Sequence, residues 1–435
     1  MENTDSLDNL VAQVQGLSGC TEDLAHLASI LKQSEEAISA KGAPRLHIAI
    51  SLLDPAVHSL GYLFFLDAQS CDPLPKDQAE EFLNTAIHFI NVCSKDQIQL
   101  APEKFTMLCK SMKESALQLN SPMRVVLPLH NAILKLQPSP QYLTALHAEF
   151  FLVCVLAKCY TSASVVLEEQ IFEIDPKKCL ITPKDFLLYC YYGGMLCIGL
   201  KKFAKALEFF HHAITAPATV LSAIVVESYK KFILVSLIEN GQVPSFPKYT
   251  PAVSIRYLKT CTQDYLELAN SFSTRNISDL QRCVASHEDA FKKDSNLGLV
   301  KQVVSSLYKR NIQRLTQTYV TLSLEDIAST VQLASPKDAE LYILRMIQEG
   351  EIFAVINQKD GMVCFHEDPE QYKTTDITQR LDEKIRQIIS LERKVTSMDE
   401  HISCDQAYLS RVGRDRSRYD LEDYDLVPQK MFQTS

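Results

Sequence analysis

The residues of this chain with the widest range of possible chemistry are its 13 cysteines and 11 histidines. They could serve as metal ligands, or as a nucleophile with its base. Neither type is spaced for a zinc site, because C-x-x-C, H-x-H and H-E-x-x-H are all absent from the sequence. The one adjacent pair is His211-His212, and neighbouring helix residues point about 100° apart. We therefore expect one of these rings at the surface and the other packed.

A second group of candidate ligands ends the last predicted strand, where His366 precedes Glu367 and Asp368. The polar end of a strand explains this group without a metal. The 12 glycines form no phosphate loop of the G-x-x-x-x-G-K-[ST] or G-x-G-x-x-G type, and no G-x-S-x-G elbow. A cysteine–histidine dyad stays open, since many pairings are available, but no motif singles one out. We predict that the chain is not an enzyme and uses no cofactor or metal.

The composition is typical of a soluble globular protein, with 46% hydrophobic and 22% charged residues over 435 positions. The net charge of −9 makes nucleic acid a poor default partner. The acidic start MENTDSLDNL does not resemble a signal peptide, so we expect the cysteines to remain thiols in a reducing compartment. Cys154, Cys190 and Cys197 lie among aliphatic residues, which predicts that they are buried.

An uncharged run between Asp185 and Lys201 raises the question of a membrane span. The run is too short, because a spanning helix needs about twenty residues. A helical hairpin explains it better, since the following segment places small and large residues on one helical face: Phe203, Ala206, Phe210 and Ala213. With Gly194 before the turn and Pro217 after the helix, the pattern resembles a tetratricopeptide-like repeat. A weaker copy lies upstream, where YLTALHAEFFLVCVLAKCY leads into Tyr160, Ala163 and Leu167.

The rest of the first two-thirds shows helical spacing, which predicts helices around 45–67, 76–93, 103–119 and 122–136. Two amphipathic helices precede these, the second with Thr21 as its N-cap, and their apolar faces are Leu7, Leu10, Val11 and Val14, then Leu24, Leu27 and Leu31. No alternating strand pattern is seen before residue 350. We predict a mostly α fold that begins with a TPR-like α-solenoid, in which each hairpin buries its apolar face against its neighbours.

Near residue 320 the pattern changes to that of a winged helix, two short helices followed by a small β-hairpin. Ser323 and Ser335 are placed to cap these helices, and the second helix stops at Gly350. The predicted strands are IFAVIN and MVCF, joined by an Asp-Gly turn at 360–361. Residues 323–366 hold seven acidic and three basic side chains, and this excess of negative charge would repel nucleic acid.

This order of helical repeats, winged helix and terminal helix resembles the PCI family of scaffold subunits, which the proteasome lid, the COP9 signalosome and a translation initiation factor complex share. The residues that carry the resemblance are LEDIA and AELYILRMIQEGEIFAVINQKDGMVCF. Upstream, LLDPAVHSLGYLFFL is similar to a segment containing HSLG in one signalosome subunit. The resemblance therefore implies a signalosome subunit, with a scaffold subunit of the proteasome lid or of the initiation factor complex as the alternative.

The resemblance implies a non-catalytic scaffold role in a complex that deneddylates cullins and so regulates cullin-RING ubiquitin ligases in the nucleus and cytoplasm. The expected partners are other signalosome subunits, above all subunits 1 and 8, and indirectly the cullin-RING ligases, with no membrane. The expected domains are a helical-repeat arm (1–200) and a PCI domain (201–366), which consists of a helical bundle (201–320) and the winged helix (321–366). An amphipathic C-terminal helix (375–403) and a disordered polar tail (404–435) are expected to follow.

Two surfaces are predicted to hold this assembly together. The first is an edge of the winged-helix sheet, where unpaired backbone groups invite another chain, and we assign to it Ile352, Phe353, Ala354, Val355, Ile356, Val363 and Phe365. The second is a coiled-coil-like seam on the terminal helix, which includes Leu381, Ile385, Ile388 and Val395. The resemblance implies that signalosome subunits pool their last helices into one bundle; the alternative is that this helix folds back on its own domain.

Two other functions stay open at this point. A PCI protein could bind nucleic acid through a basic stretch with a single acidic residue, Asp294: Lys292, Lys293, Lys301, Lys309, Arg310 and Arg314. A solvated helix face is our preferred explanation of that stretch. A thiol enzyme would carry a hyper-reactive cysteine, which we do not expect.

Overall fold

The structure is a computed structural model that describes residues 5–17, 21–35, 38, 43–70, 75–169, 171, 173–367 and 375–411. Over these residues it has 22 α-helices, two 3₁₀ turns and one three-stranded antiparallel sheet. The predicted mostly α fold with a small sheet near its end is confirmed. None of the described helices is long and apolar enough to cross a membrane. The chain forms two compact units, Met1–Thr318 with Leu324–Tyr342, and Tyr319–Ser323 with Ile343–Ser435.

The first unit begins with two amphipathic helices, α1 Asp5–Leu17 and α2 Thr21–Gln33, which bury the predicted leucine and valine faces. The helices that follow are α3 Ala43–Ser51, α4 Ser59–Gln69, α5 Lys76–Val92, α6 Lys95–Ile98, α7 Pro102–Gln118 and α8 Val126–Leu136. The single helix predicted around 45–67 is wrong, because a turn separates α3 from α4. In that turn the Asp54 carboxylate accepts a hydrogen bond from the Ala56 N–H at 2.9 Å, and Pro55 has no N–H to continue a helix.

The uncharged run forms a buried helix of a hairpin, as predicted. The helices of this part are α9 Ala145–Leu156, α10 Ser164–Glu168, α11 Pro176–Cys179, α12 Pro183–Gly199, α13 Phe203–Thr215 and α14 Ala223–Glu239. Helix α12 packs between α9 and α13. A Cβ added to Gly194 would stand only 2.5 Å from the Phe210 ring. The glycine therefore permits the close approach of the two helices. The upstream copy is shorter than predicted, because its second helix is a 3₁₀ turn followed by the five residues of α10.

The helices that follow are joined by a buried polar network. They are α15 Ala252–Cys261, α16 Gln263–Ser273, α17 Ile277–Ser286, α18 Glu288–Lys293 and α19 Leu297–Thr318. The Asp294 carboxylate accepts from Lys230 Nζ at 2.8 Å and from the Tyr265 hydroxyl at 2.9 Å, and Asn296 donates to the same hydroxyl. The one acidic residue of the basic stretch therefore has a structural role that ties α14 and α16 to the turn before α19.

The predicted winged helix consists of β1 Thr321–Ser323, α20 Leu324–Val331, α21 Pro336–Gln348, β2 Phe353–Asn357 and β3 Met362–His366. Strand β1 was not predicted, because three residues are too few to show an alternating pattern. The Ser335 cap is confirmed, since its hydroxyl accepts from the Asp338 N–H at 3.2 Å. Gly350, with a φ of +70°, ends α21, and Gly361, with a φ of +61°, lies in the predicted turn.

The terminal helix is α22 Thr375–Ser403, a single element of 29 residues with the predicted limits. A further helical turn follows at 406–411, where the Asp405 carboxylate accepts from the Ala407 N–H at 3.0 Å. Part of the tail predicted to be disordered is therefore helical. The remainder, 412–435, lies outside the described residues.

Candidate interaction surfaces

The terminal helix carries an apolar seam that the described part of the chain leaves uncovered. Its side chains keep large exposed fractions: Leu381 59%, Ile385 48%, Ile388 64% and Val395 57%. From residue 377 to residue 411, every described side chain is exposed except that of Lys394, which is half-buried. The alternative in which this helix folds back on its own domain is therefore wrong for the described residues.

The seam runs along most of α22, because the remaining apolar side chains of the same spacing are also exposed: Ile377, Leu391, Met398 and Ile402. At about 1.5 Å per residue the helix is roughly 40 Å long. Off the seam, Arg386 pairs with Asp382 at 2.8 Å, an i,i+4 contact between exposed groups. Contiguous apolar surface with a polar rim is typical of a protein–protein contact site.

The sheet order β1–β3–β2 changes the predicted winged-helix edge. Val363 and Phe365 lie on the central strand β3 and are buried, and Ile352 is buried just before β2. Assigning Val363 and Phe365 to the edge is wrong, because a strand paired on both sides has no free backbone groups. The Ile352 side chain is buried within the chain and so is not available to a partner at this edge. The edge strand β2 keeps Phe353 and Val355 exposed, the latter by 60%, while Ala354 and Ile356 are half-buried. Their role in an interface stays a prediction.

The second edge strand, β1, was missed by the sequence reasoning. Tyr319 and Val320 stand directly before it and are exposed, Val320 by 76%. The Phe365 N–H donates to the Val320 carbonyl at 2.8 Å, so the pairing with β3 extends past the end of β1. The sequence contains one sign of this strand, the apolar pair Tyr319 and Val320 after the polar end of α19. Such a short segment cannot show the alternating pattern that identifies a strand.

One cysteine–histidine pair with a neighbouring carboxylate occurs in a surface groove of about 450 Å³ between α16 and α17. The Cys283 sulfur lies 3.8 Å from Nδ1 of His287, and Nε2 of that ring lies 3.3 Å from the Glu267 carboxylate. The same Nδ1 is closer to the Cys283 carbonyl oxygen, at 3.1 Å. His287 directly follows α17, so its ring bonds a carbonyl at the end of that helix, a common C-terminal contact. The geometry favours a helix cap over an activated nucleophile.

The exposure of the cysteine side chains predicts the order in which they react with an alkylating reagent. Among the cysteines that the structure describes, exposed Cys261 and Cys404 should react first with iodoacetamide at neutral pH, and half-buried Cys283 more slowly. Burial raises the pKa of the Cys197 thiol to about 11, so this buried side chain should react at least about a hundredfold more slowly than a free thiol. A time course read by peptide mass spectrometry on the native full chain checks this order. Labelling of Cys283 before Cys261 would support the hypothesis that the chain is a thiol enzyme.

The other candidate ligands are not brought together. Within the described part of the chain, no three His, Cys, Asp or Glu side chains are grouped to hold a metal ion. His366 is exposed at the end of β3, and Asp368 lies outside the described residues. The His211 ring is half-buried with its centroid 6.2 Å from that of Tyr249, while His212 is exposed. Burial nevertheless lowers the pKa of His212, so the predicted division into a packed ring and a surface ring is only partial.

Known proteins are similar to this chain over nearly its whole length. A family model described as COP9 signalosome complex subunit 3, N-terminal helical repeats, matches residues 21–254, and a PCI domain model matches residues 284–367. COP9 signalosome complex subunit 3 of Arabidopsis thaliana is 47% identical over 428 residues, which cover 98% of each chain. The protein of the same name from Dictyostelium discoideum is 41% identical over 406 residues, 92% of this chain and 95% of that one. The chain therefore belongs to the COP9 signalosome complex subunit 3 family.

Proposed function

We propose that this chain is a non-catalytic scaffold subunit of the signalosome, in the nucleus and cytoplasm, and that another subunit of the complex deneddylates cullins. The observation that carries the proposal is the uncovered seam of α22. A subunit with this surface gains stability only when other helices cover the seam, because buried apolar surface contributes about 25 cal/mol per Å². Its contribution to the reaction is positional: it holds the hydrolase and the cullin-RING ligase in register.

Two contacts would build the scaffold. The seam joins the last helices of neighbouring subunits in one bundle, with knobs-into-holes packing of the apolar positions. Strand β2 pairs edge to edge with a neighbouring winged helix, where backbone hydrogen bonds give affinity and side chains such as Val355 give specificity. Subunits 1 and 8 are the neighbours that the family resemblance favours.

Native mass spectrometry tests the proposal as a whole. The tagged full chain is recovered from cells beside a version that lacks residues 376–403. A particle of several subunits that includes a metalloprotease, with partners lost on truncation, supports the proposal. Recovery with proteasome lid subunits contradicts the choice of complex. Recovery of the chain alone, or with nucleic acid, contradicts the scaffold role.

The edge of β2 can be tested separately with Val355→Lys. A lysine at an edge strand discourages pairing with another chain, so we expect affinity for a neighbouring winged helix to fall about tenfold. The free energy of unfolding should change by less than about 0.5 kcal/mol, since the side chain is largely exposed.

The matched control for this edge variant is Gln348→Lys, which adds the same charge at an exposed position on α21. Pull-down of the full chain at a series of partner concentrations measures both variants. Equal binding by wild type and Val355→Lys would remove β2 from the interface.

A further inference from the structure

One charged side chain, Lys384, interrupts the apolar seam of α22. A coiled-coil heptad is lettered a to g, and positions a and d form its core. In α22 the apolar residues at these two positions are Ile377, Leu381, Ile388, Leu391, Val395, Met398 and Ile402. The d position between Ile377 and Leu391 holds Lys384, and Ile385 beside it widens the seam. The helix therefore carries an ammonium group within an otherwise apolar contact surface.

The helix itself offers Lys384 no carboxylate. Side chains three and four residues apart are neighbours on a helix surface. At those distances from Lys384 stand Arg380, Leu381, Gln387 and Ile388, none of which is acidic. The lysine is exposed, and no hydrogen bond or ion pair joins it to another described residue. A counter-charge for this ammonium group has to come from the chain that covers the seam.

A helix packed on the seam would enclose this ammonium group. An enclosed charge without a counter-charge opposes association, whereas a carboxylate in contact with it offsets much of the cost of desolvation. We infer that the occupant of the seam is an amphipathic helix of a different subunit, with an Asp or Glu side chain that faces Lys384. This inference rests on the proposed function, because it specifies the partner of the same seam.

A second copy of α22 is a poor occupant because of its charges. In a parallel pair in register each core position faces itself, so the two Lys384 side chains would repel each other. In an antiparallel pair each flank of the seam lies against the same flank of the other helix. Position e on one flank holds Glu392 and Asp399, so carboxylates would face carboxylates. Both self-pairings place like charges together, which favours a different chain.

The charges along the seam also specify the order of charges on the partner. Glu392 and Asp399 follow Lys384 by eight and fifteen residues, and neither has a Lys or Arg three or four residues away. At about 1.5 Å per residue, they lie roughly 12 and 22 Å from Lys384 along the helix. A complementary helix carries a carboxylate at the level of Lys384 and a Lys or Arg at the level of Glu392 or Asp399. This order fixes the register of the two helices as well as the choice of partner.

Carbodiimide cross-linking identifies the residue that faces Lys384. The reagent activates a carboxylate and joins it directly to an amine in contact with it, without a spacer. The sample is the particle recovered from cells with the tagged full chain. We expect peptide mass spectrometry to find an amide bond between Lys384 and an Asp or Glu of another subunit. A bond from Lys384 to a second copy of this chain would overturn the inference, as would no bond at Lys384 when other exposed lysines are cross-linked.

Substitution of Lys384 measures the contribution of its charge to partner binding. Lys384→Leu completes the apolar seam but leaves a facing carboxylate without its cation, so we expect affinity for the partner to fall at least about tenfold. Lys384→Glu should weaken binding further, since like charges then meet. The control is Arg393→Glu, a charge reversal at an exposed position on the opposite side of α22. It should bind as wild type does, and circular dichroism verifies that all three variants fold.

Failure of this inference can be told apart from failure of the proposed function. Wild type recovered without partner subunits contradicts the proposed function, and the inference fails with it. Partners retained by wild type, with equal or tighter binding by Lys384→Leu, contradict only the inference, because the lysine then extends to solvent without a counter-charge. Reversal of the cross-linked carboxylate to lysine in the partner should return the affinity of Lys384→Glu to within about threefold of wild type. This rescue would confirm the pair.

Discussion

Replacing Ile385 and Ile388 with aspartate is expected to abolish retention of partner subunits and to leave the isolated chain folded. Both side chains are about half exposed or more in the chain and lie on the seam of α22. If a helical bundle buries them, each contributes roughly 1.5–3 kcal/mol, and a buried aspartate adds the cost of desolvating its charge. Association should therefore weaken by at least about a hundredfold, equivalent to about 2.7 kcal/mol.

The stability of the isolated chain provides the first control on this result. Because exposed positions contribute little to folding, the free energy of unfolding should stay within about 0.5 kcal/mol of the wild-type value. A second control places the same two charges on the opposite side of the helix, at Ser390 and Ser397, as Ser390→Asp with Ser397→Asp. Native mass spectrometry of the recovered particle compares the three chains.

The seam variant and its control separate two explanations. Loss of partners in the seam variant alone assigns the contact to the apolar face. Equal loss in both variants would mean that added negative charge, and not the seam, is responsible. Full retention of partners by the seam variant would contradict the bundle and leave the winged-helix edge as the remaining contact.

The seam could be predicted from the sequence because its information is local. Residues three and four apart share a helix face whatever surrounds the helix, so the limits 375–403 and the apolar positions were found together. The hairpin of α12 and α13 could be predicted for the same reason. The break between α3 and α4 was missed because the apolar spacing continues across Pro55, although the proline itself was a signal.

The edge of the sheet could not be predicted in full, because strand order is a property of pairing and not of any one segment. Val363 and Phe365 are residue types that favour a β-strand, but the sequence does not show where that strand lies in the sheet. Only the pairing of β1 with β3 shows that β3 is the central strand.

The largest effect on folding is expected in the hairpin that formed the uncharged run. Phe210 is fully buried between α12 and α13, and its ring lies against Gly194. Phe210→Ala removes this ring and leaves a cavity, so we expect the free energy of unfolding to fall by about 3–5 kcal/mol. Urea denaturation of the full chain, followed by circular dichroism, measures the change. A loss below about 1 kcal/mol would contradict close packing at this site.

Gly194→Ala tests the same contact from the other helix. Alanine normally favours a helix over glycine by about 1 kcal/mol, but here the new Cβ would stand 2.5 Å from the Phe210 ring. Overpacking costs about 1–3 kcal/mol, so the variant should be destabilised, and Phe210→Leu in the same chain should restore part of the loss. Gly298→Ala, where a Cβ meets nothing within 4 Å, should not destabilise the protein. Equal effects at both glycines would mean that helix propensity alone decides the result. Opposite effects would mean that Gly194 is required for the close approach of α12 and α13, the packing on which a helical-repeat arm depends.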